Sequence, residues 1–401
     1  MKKILTVSIV LVVVMSISSF ATNTRVLTMG QNNLVLEDDA NIWIFPGRVY
    51  NYPSLAIGEF SRFAANEFTN FGIHWKFGEE NPWVLATYFS TLPEGLPHGF
   101  DAGTFGNWDV LDGSDHKRID LLWGRELGVN KFGVHFGYNK TAYQRDDANK
   151  LNEEFHVYEL GLGLTEAGGK WDLGFSVSVG GWTDEDSAGN IETEADGYMD
   201  VDLIGRMFWT YNPNMTFIPH VGFGYGKHGE KDNMAGDADP TTNDINTKVT
   251  YSVLDAGMGL NWVPSSNVLA VADFGFAYQK SKAEFDWDTT YLDPAGTADD
   301  EQTILWFPYW QIGFEADVFS WMDIRMGATS EWRTQKNEPT PLITSKWNYA
   351  WNQTYLGFGF HWGRLYVDTY TDPQMFLDGF NFVSGSNNKM NFQISALYEM
   401  F

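Results

Sequence analysis

The chain has 401 residues, 26 Lys+Arg against 52 Asp+Glu for a net charge of −26, no Cys, 40 Gly and 16% aromatic residues. Its length allows two or three soluble domains or one large barrel. The lack of Cys excludes disulfide frameworks, thiolate zinc sites and cysteine nucleophiles, and the acidity excludes a nucleic-acid partner held through phosphates.

From the N-terminus, Lys2 and Lys3 precede an almost wholly apolar run over 4–17, and Ser19-Phe20-Ala21 places small residues at −3 and −1 of a cleavage point. This is the pattern of a signal peptide over 1–21. No later stretch approaches the ~20 apolar residues of a spanning helix. The exported protein is therefore secreted, periplasmic or an outer-membrane barrel.

Residues 22–53 do not alternate cleanly. They carry Met29-Gly30, Asp38-Asp39, Ile42 and Pro46, with Phe45 and Gly47-Arg48 around the proline. In these positions the segment resembles the N-terminus of the long-chain fatty-acid transporter superfamily of outer-membrane barrels, secretion-associated relatives included. It departs where Phe45 replaces the usual Asn and Gly47-Arg48 the usual small pair. The resemblance covers about 35 residues and implies a hatch folded into the barrel mouth, with Met29, Gly30, Asp38, Asp39 and Pro46 as its marks. The alternative is a periplasmic lead-in that plugs nothing. If the segment enters the bore, Asp38 and Asp39 need donors there, and Arg118, Arg206 and Arg325 are the ones the strand register offers.

Residues 54–401 read as one domain, an all-β antiparallel transmembrane barrel. Phe132, Val134, Phe136 and Tyr138 alternate with Gly133, His135, Gly137 and Asn139; Trp171, Leu173, Phe175, Val177 and Val179 alternate with Asp172, Gly174, Ser176 and Ser178. Met322, Ile324 and Met326 alternate in the same way with Asp323, Arg325 and Gly327. A period of two marks a strand with one apolar and one polar face, and its repetition over many strands marks a barrel in lipid. Short turns alternate with long polar connections, as between periplasmic and external ends. Counting from Pro82 gives 14 strands; a hairpin over 54–77 would make 16. Either number is even and leaves both termini in the periplasm.

Trp83, Trp171, Trp209, Trp262, Trp321 and Trp362 fall at the short-turn ends, where amphipathic rings form an interfacial girdle. The last strand ends in Tyr398 and Phe401, resembling the aromatic C-terminal signal read by the barrel assembly machinery, with the two rings on opposite faces. Charged side chains cannot face lipid cheaply, so Asp120, Asp172, Asp200, Asp202, Arg206, Asp255, Asp273, Asp323 and Arg325 are expected in the lumen. Lumen acids would favour cations and neutral solutes.

Two loop features stand as candidate sites. Asp184, Asp186 and Gly189 fit an EF-hand frame that Ala188 and Ala195 break, and Asp237, Asp239 and Asp244 form a second acidic group. His228 stands near Glu230 and Asp232, yet no nucleophile elbow or H-E-x-x-H spacing occurs, so no enzyme, metal or cofactor is expected. The expectation is an outer-membrane, porin-like channel of a Gram-negative-type bacterium, passing small or apolar solutes without energy coupling, its partners being membrane lipid, the assembly machinery and those solutes. The alternative is a structural or partner-binding barrel with acidic external loops.

Overall fold

A computed structural model describes residues 22–63, 66–90, 115–144, 152–185, 191–232, 245–287, 300–339, 345–371, 373 and 392–400. The signal-peptide residues, Phe401, Asp186, Ala188, Gly189 and the acidic group at 237–244 lie outside these, as do the side chains of Asp184, Ala195, Glu230 and Asp232.

Seventeen strands form one sheet: β1 (Leu55–Phe63), β2 (Asn66–Phe77), β3 (Trp83–Ser90), β4 (Asp115–Leu127), β5 (Asn130–Gln144), β6 (Asn152–Glu166), β7 (Trp171–Glu185), β8 (Ile191–Met207), β9 (Trp209–Asn212), β10 (Met215–Asp232), β11 (Ile245–Ser265), β12 (Val268–Trp287), β13 (Asp300–Phe319), β14 (Met322–Pro339), β15 (Ser345–Trp362), β16 (Leu365–Thr371) and β17 (Phe392–Glu399). Each pairs antiparallel with its neighbours, and β17 closes on β1 from Leu55↔Glu399 to Arg62↔Phe392. Closure leaves no sheet edge, which lipid requires because nothing there can hydrogen-bond an open strand.

The 17 strands make 16 staves. His220 of β10 opposes Arg206 of β8 and Phe217 opposes Trp209 of β9, one unbroken register across Phe208, so β8 and β9 are one stave. The wall thus has 16 staves where 14 was the preferred count, because β1 and β2 join it. Their alternation is blurred for a physical reason. Leu55 and Ile57 point inward, yet are apolar, because they pack in a buried cluster with Ile42, Val49 and Tyr52 of the preceding segment.

Short connections are built for reversal. Gly128, Gly169 and Gly363 hold φ of +65°, +75° and +66° in the turns after β4, β6 and β15, a region that a Cβ disfavours. The outer face is apolar and exposed, with Phe71, Phe136, Leu160, Val221, Phe274 and Ile312 between 43% and 53% accessible. Such a surface is stable only against lipid. Several staves are long, and β11 reaches 21 residues. At ~3.4 Å per residue and a ~40° tilt, β11 rises roughly 55 Å, about twice the ~25 Å apolar band.

Candidate functional site: a seated hatch beneath an acidic chamber

Residues 22–52 lie inside the barrel, near the short-turn end. They form α1 (Asn23–Thr28) and two 3-10 turns, Asp39–Trp43 and Pro46–Asn51. Polar and apolar residues alike are buried there: Met29, Val35, Phe45 and Val49 are fully covered, and so are Thr24, Thr28, Asp38 and Asn41. The first 3-10 turn is capped by Asp38, whose carboxylate accepts from Ala40 N at 2.8 Å while Asn41 Oδ1 accepts from Asp38 N at 3.1 Å.

The wall accommodates this segment by omitting side chains. A Cβ placed on Gly163 of β6 would meet Gly47 N at 2.5 Å and Pro46 N at 2.6 Å. Gly133 and Gly174 are pressed by the carbonyls of Pro46 and Ile44, and Gly313 and Gly327, farther round the wall, by the backbone of 28–30. Alternating Gly on the polar face is therefore the seat of the segment.

Charge fixes the segment at two nodes. In the first, Asp172 of β7 takes two hydrogen bonds from Arg48, at 2.8 and 2.7 Å, and one from Arg206 of β8 at 2.7 Å. Arg48 also pairs with Glu37 at 2.7 Å. The remaining donors of Arg206 reach the carbonyls of Asn33, Leu34 and Leu36 and Oδ1 of Asn41, at 2.8 to 3.3 Å. Its guanidinium lies 4.6 Å from the centroid of Phe45, so that ring has a cation to cover. In the second node, Arg25 makes two 2.7 Å hydrogen bonds to Glu315 of β13. Glu315 also accepts from Arg325 of β14, which further binds Asp368 and, at 3.2 Å, Asp323. Thr22 Oγ1 donates to Asp368 at 3.0 Å. Glu59 of β1, accepting from Asn23 N at 3.0 Å, makes a smaller third tie.

Asp38 and Asp39 do not pair with Arg118, Arg206 or Arg325 as expected. Those three are claimed by wall acids and hatch carbonyls, and the cation beside Asp38 is Arg25 of the same segment, at 3.6 Å. Asp39 Oδ1 is buried with no partner among the described residues. Burial pushes Asp38 up to about 7 against the pull of Arg25, and pushes Asp39 well above the carboxylate range with help from the charge of Asp38. Sequence reasoning missed Arg25 and Arg48 as the segment's own anchors; two arginines in a stretch that must be buried were the available signal.

Above the hatch is a cavity of about 640 Å³. Its floor includes Val26, Asn33, Leu34 and Trp43 of the hatch, and its wall carries Asp120, Glu159, Asp202, Asp255, Asp273 and Glu331 against the single guanidinium of Arg118. Arg118 binds Asp120 and, at 2.9 Å, Glu159, while His135 sits 2.8 Å from Asp120 and 3.4 Å from Glu159. His220 stands 3.0 Å from Asp273 and 3.5 Å from Asp255. Asp200 accepts from the Tyr251 hydroxyl at 2.6 Å, and Asp202 from Ser176 at 3.5 Å. All nine charged residues expected in the lumen lie on the inner face, separated into groups: Asp172 and Arg206 in one, Asp323 and Arg325 in another, Asp120, Asp202, Asp255 and Asp273 around the chamber, and Asp200 buried beside Tyr251.

Trp209, Trp262, Trp321 and Trp362 are exposed at the short-turn end, and Trp83 and Trp171 half-exposed. Trp321 stacks between Phe319 at 5.4 Å and Phe360 at 6.3 Å. Tyr398 is on the outer face, 47% exposed. His228 of β10 lies 6.4 Å from the Tyr251 ring. Among the described residues there is no group of three metal-ligating side chains.

A closed antiparallel barrel with an apolar exterior and a polar bore is an outer-membrane β-barrel of the Gram-negative type. No protein-family model matches the sequence, and no curated protein does. Solved structures that align with 86% of the chain include CdiB from Acinetobacter baumannii (TM-score 0.41, 8% identity) and CdiB from Escherichia coli (0.43, 8%), over 59% and 63% of those chains. The ferric yersiniabactin uptake receptor FyuA from Yersinia pestis aligns over 80% of its length (TM-score 0.40, 7% identity). The chain thus spans about three fifths of the length of the two CdiB proteins.

Proposed function

We propose that this barrel passes small or apolar solutes across the outer membrane without energy coupling, and that residues 22–52 are its gate. One observation carries the reading: the segment fills the bore beneath a chamber, held by side-chain hydrogen bonds and ion pairs to the wall. Such contacts can be exchanged for water when the segment moves, whereas a bore filled by the wall's own side chains could not open. The inserted segment is also what supports the resemblance at Met29-Gly30 and Asp38-Asp39 to the fatty-acid transporter superfamily. In this reading the six tryptophans anchor the barrel in lipid, and Tyr398 with Phe401 addresses it to the assembly machinery.

Purified protein in planar bilayers tests it. Intact protein should give small or infrequent steps, and a variant lacking 23–49 behind an intact signal should give larger, cation-biased ones. Silence from both proteins removes the passage reading. The second reading, a structural or partner-binding barrel, then stands; it is favoured by the length of β10–β15, which carries the wall well beyond the membrane.

A further inference from the structure

The chamber's charges do not cancel. Asp120 and Glu159 are matched by Arg118 and His135, and Glu331 by Arg333 at 2.8 Å. Asp255 and Asp273 share the one imidazole of His220. Asp200 and Asp202 have only hydroxyl donors, and neither is in an ion pair among the described residues. These four acids lie on one stretch of wall, β8 to β12. Between β8 and β11, β10 contributes Gly222, level with Asp255, and Gly224, level with Asp202. The two carboxylates stand two strands and two residues apart, roughly 12 Å, over glycines that Ile204 partly covers.

A second feature points to an occupant. Asn70 of β2, 8% exposed, lines the same chamber and donates to Glu59 at 3.1 Å, while its Oδ1 has no partner among the described residues. A buried carbonyl without a donor is costly, so this chamber offers N–H groups an acceptor on β2, across the bore from the acids of β8–β12. The chamber is also aromatic. Trp43 of the hatch and Trp306 of β13 line it, and Tyr309 lies across Gly257 and Gly275. Higher on the same inner face, Tyr349 and Trp351 of β15 stand opposite Arg333 and Glu331, half-exposed. Acceptors without cations, beside ring faces, suit a positively charged head on an apolar body.

We propose that the chamber is a binding site for an organic cation, an ammonium or guanidinium compound whose head lies between Asp202 and Asp255 and whose apolar part meets Trp43 and Trp306. A volume of about 640 Å³ accommodates a molecule of that kind and far exceeds what a bare metal ion fills. This deepens the passage reading by naming its solute class, and rests on that reading only for transport.

The test is isothermal titration of the full-length protein in detergent with three isosteric probes: phenethylamine, 2-phenylethanol and phenylacetate. The amine should bind, at least tenfold more tightly than the alcohol, with no heat from the acid. Asp202→Asn and Asp255→Asn should each weaken the amine about fivefold or more, and Asp202→Glu should restore it. Heat-modifiable migration on gels confirms that each variant barrel is folded. Equal binding of amine and alcohol, no amine heat up to about 10 mM, or folded Asn variants that bind as wild type overturns the site. Liposome flux separates the two claims: amine binding without flux leaves the site and removes passage, and flux indifferent to charge removes the site and leaves passage.

Discussion

Asp172→Ala should release the hatch. The carboxylate is fully buried between two guanidiniums, Arg48 at 2.7 Å and Arg206 at 2.7 Å, whose side chains are 3% and 0% exposed. Removing it leaves Arg206 with no carboxylate and Arg48 with only the half-exposed Glu37, so two buried cations face each other under-compensated. Breaking a buried pair by deleting one partner costs ~3–5 kcal/mol. The strained contact is between hatch and wall, so the cost falls on the seated state: once the hatch leaves, Arg48 reaches water and Arg206 is relieved of its neighbour. At ~1.4 kcal/mol per decade, the ratio of released to seated hatch rises by roughly two to three and a half orders of magnitude. Trypsin reads this directly. Arg25 and Arg48, both 2% exposed, are cleavage sites that the bore hides, and when opening is fast relative to cutting, the cleavage rate follows the open population. Cleavage after Arg25 and Arg48 should therefore accelerate at least a hundredfold, with the barrel still folded by heat-modifiable migration. Asp172→Asn, which keeps an acceptor but no charge, should fall between. Acceleration of less than tenfold in a folded Asp172→Ala barrel would show that the node does not hold the hatch.

Three further outcomes are expected. Gly163→Ala puts a Cβ 2.5 Å from Gly47 N, so it should destabilise the seated hatch by ~1–3 kcal/mol, whereas Gly205→Ala, with nothing nearer than 3.6 Å, should not; tryptic cleavage of the two compares them. Because burial raises Asp38 to about 7 from an ordinary value near 3.8, the seated hatch holds a proton that the released one gives up. Asp39, pushed well above the carboxylate range, holds a second proton, so seating is firmest near pH ~4, weakens as pH rises by up to ~1.4 kcal/mol per unit for each proton held, and goes on weakening above about 7. Amide exchange over the hatch, corrected for intrinsic rates between pH 4 and 8, should show that slope and lose much of it in Asp38→Asn. Phe175→Arg, on the lipid side of β7, should impair folding into vesicles by ~2–4 kcal/mol near the midplane, while Ser176→Arg points at Asp202 and should fold. Equal damage from both would contradict the assignment of faces.

The alternation of Phe132 to Tyr138 and of Trp171 to Val179 identified a barrel wall and sorted lipid side from lumen side, because side-chain direction in a strand has a period of two and needs no distant partner. Turn glycines such as Gly128 and Gly169 were legible for the same local reason. The number of staves was not. Whether β1 and β2 join the wall depends on the closure of β1 on β17, more than 300 residues away, and their inner face is apolar because the hatch covers it. The candidate site divided along the same line. That Asp172, Arg206 and Arg325 face inward followed from the cost of a charge in lipid, but which charge meets which did not: Arg48 finds Asp172 across 124 positions, and Arg25 finds Glu315 across 290. Asp38 illustrates the limit most plainly. Its burial demands compensation, yet its partner comes from its own segment, because the tertiary packing had already committed Arg206 to hatch carbonyls and Arg325 to Glu315 and Asp368. Local sequence sets which face a side chain takes; only the closed, hatch-filled bore decides which of several equally eligible charges stand within reach.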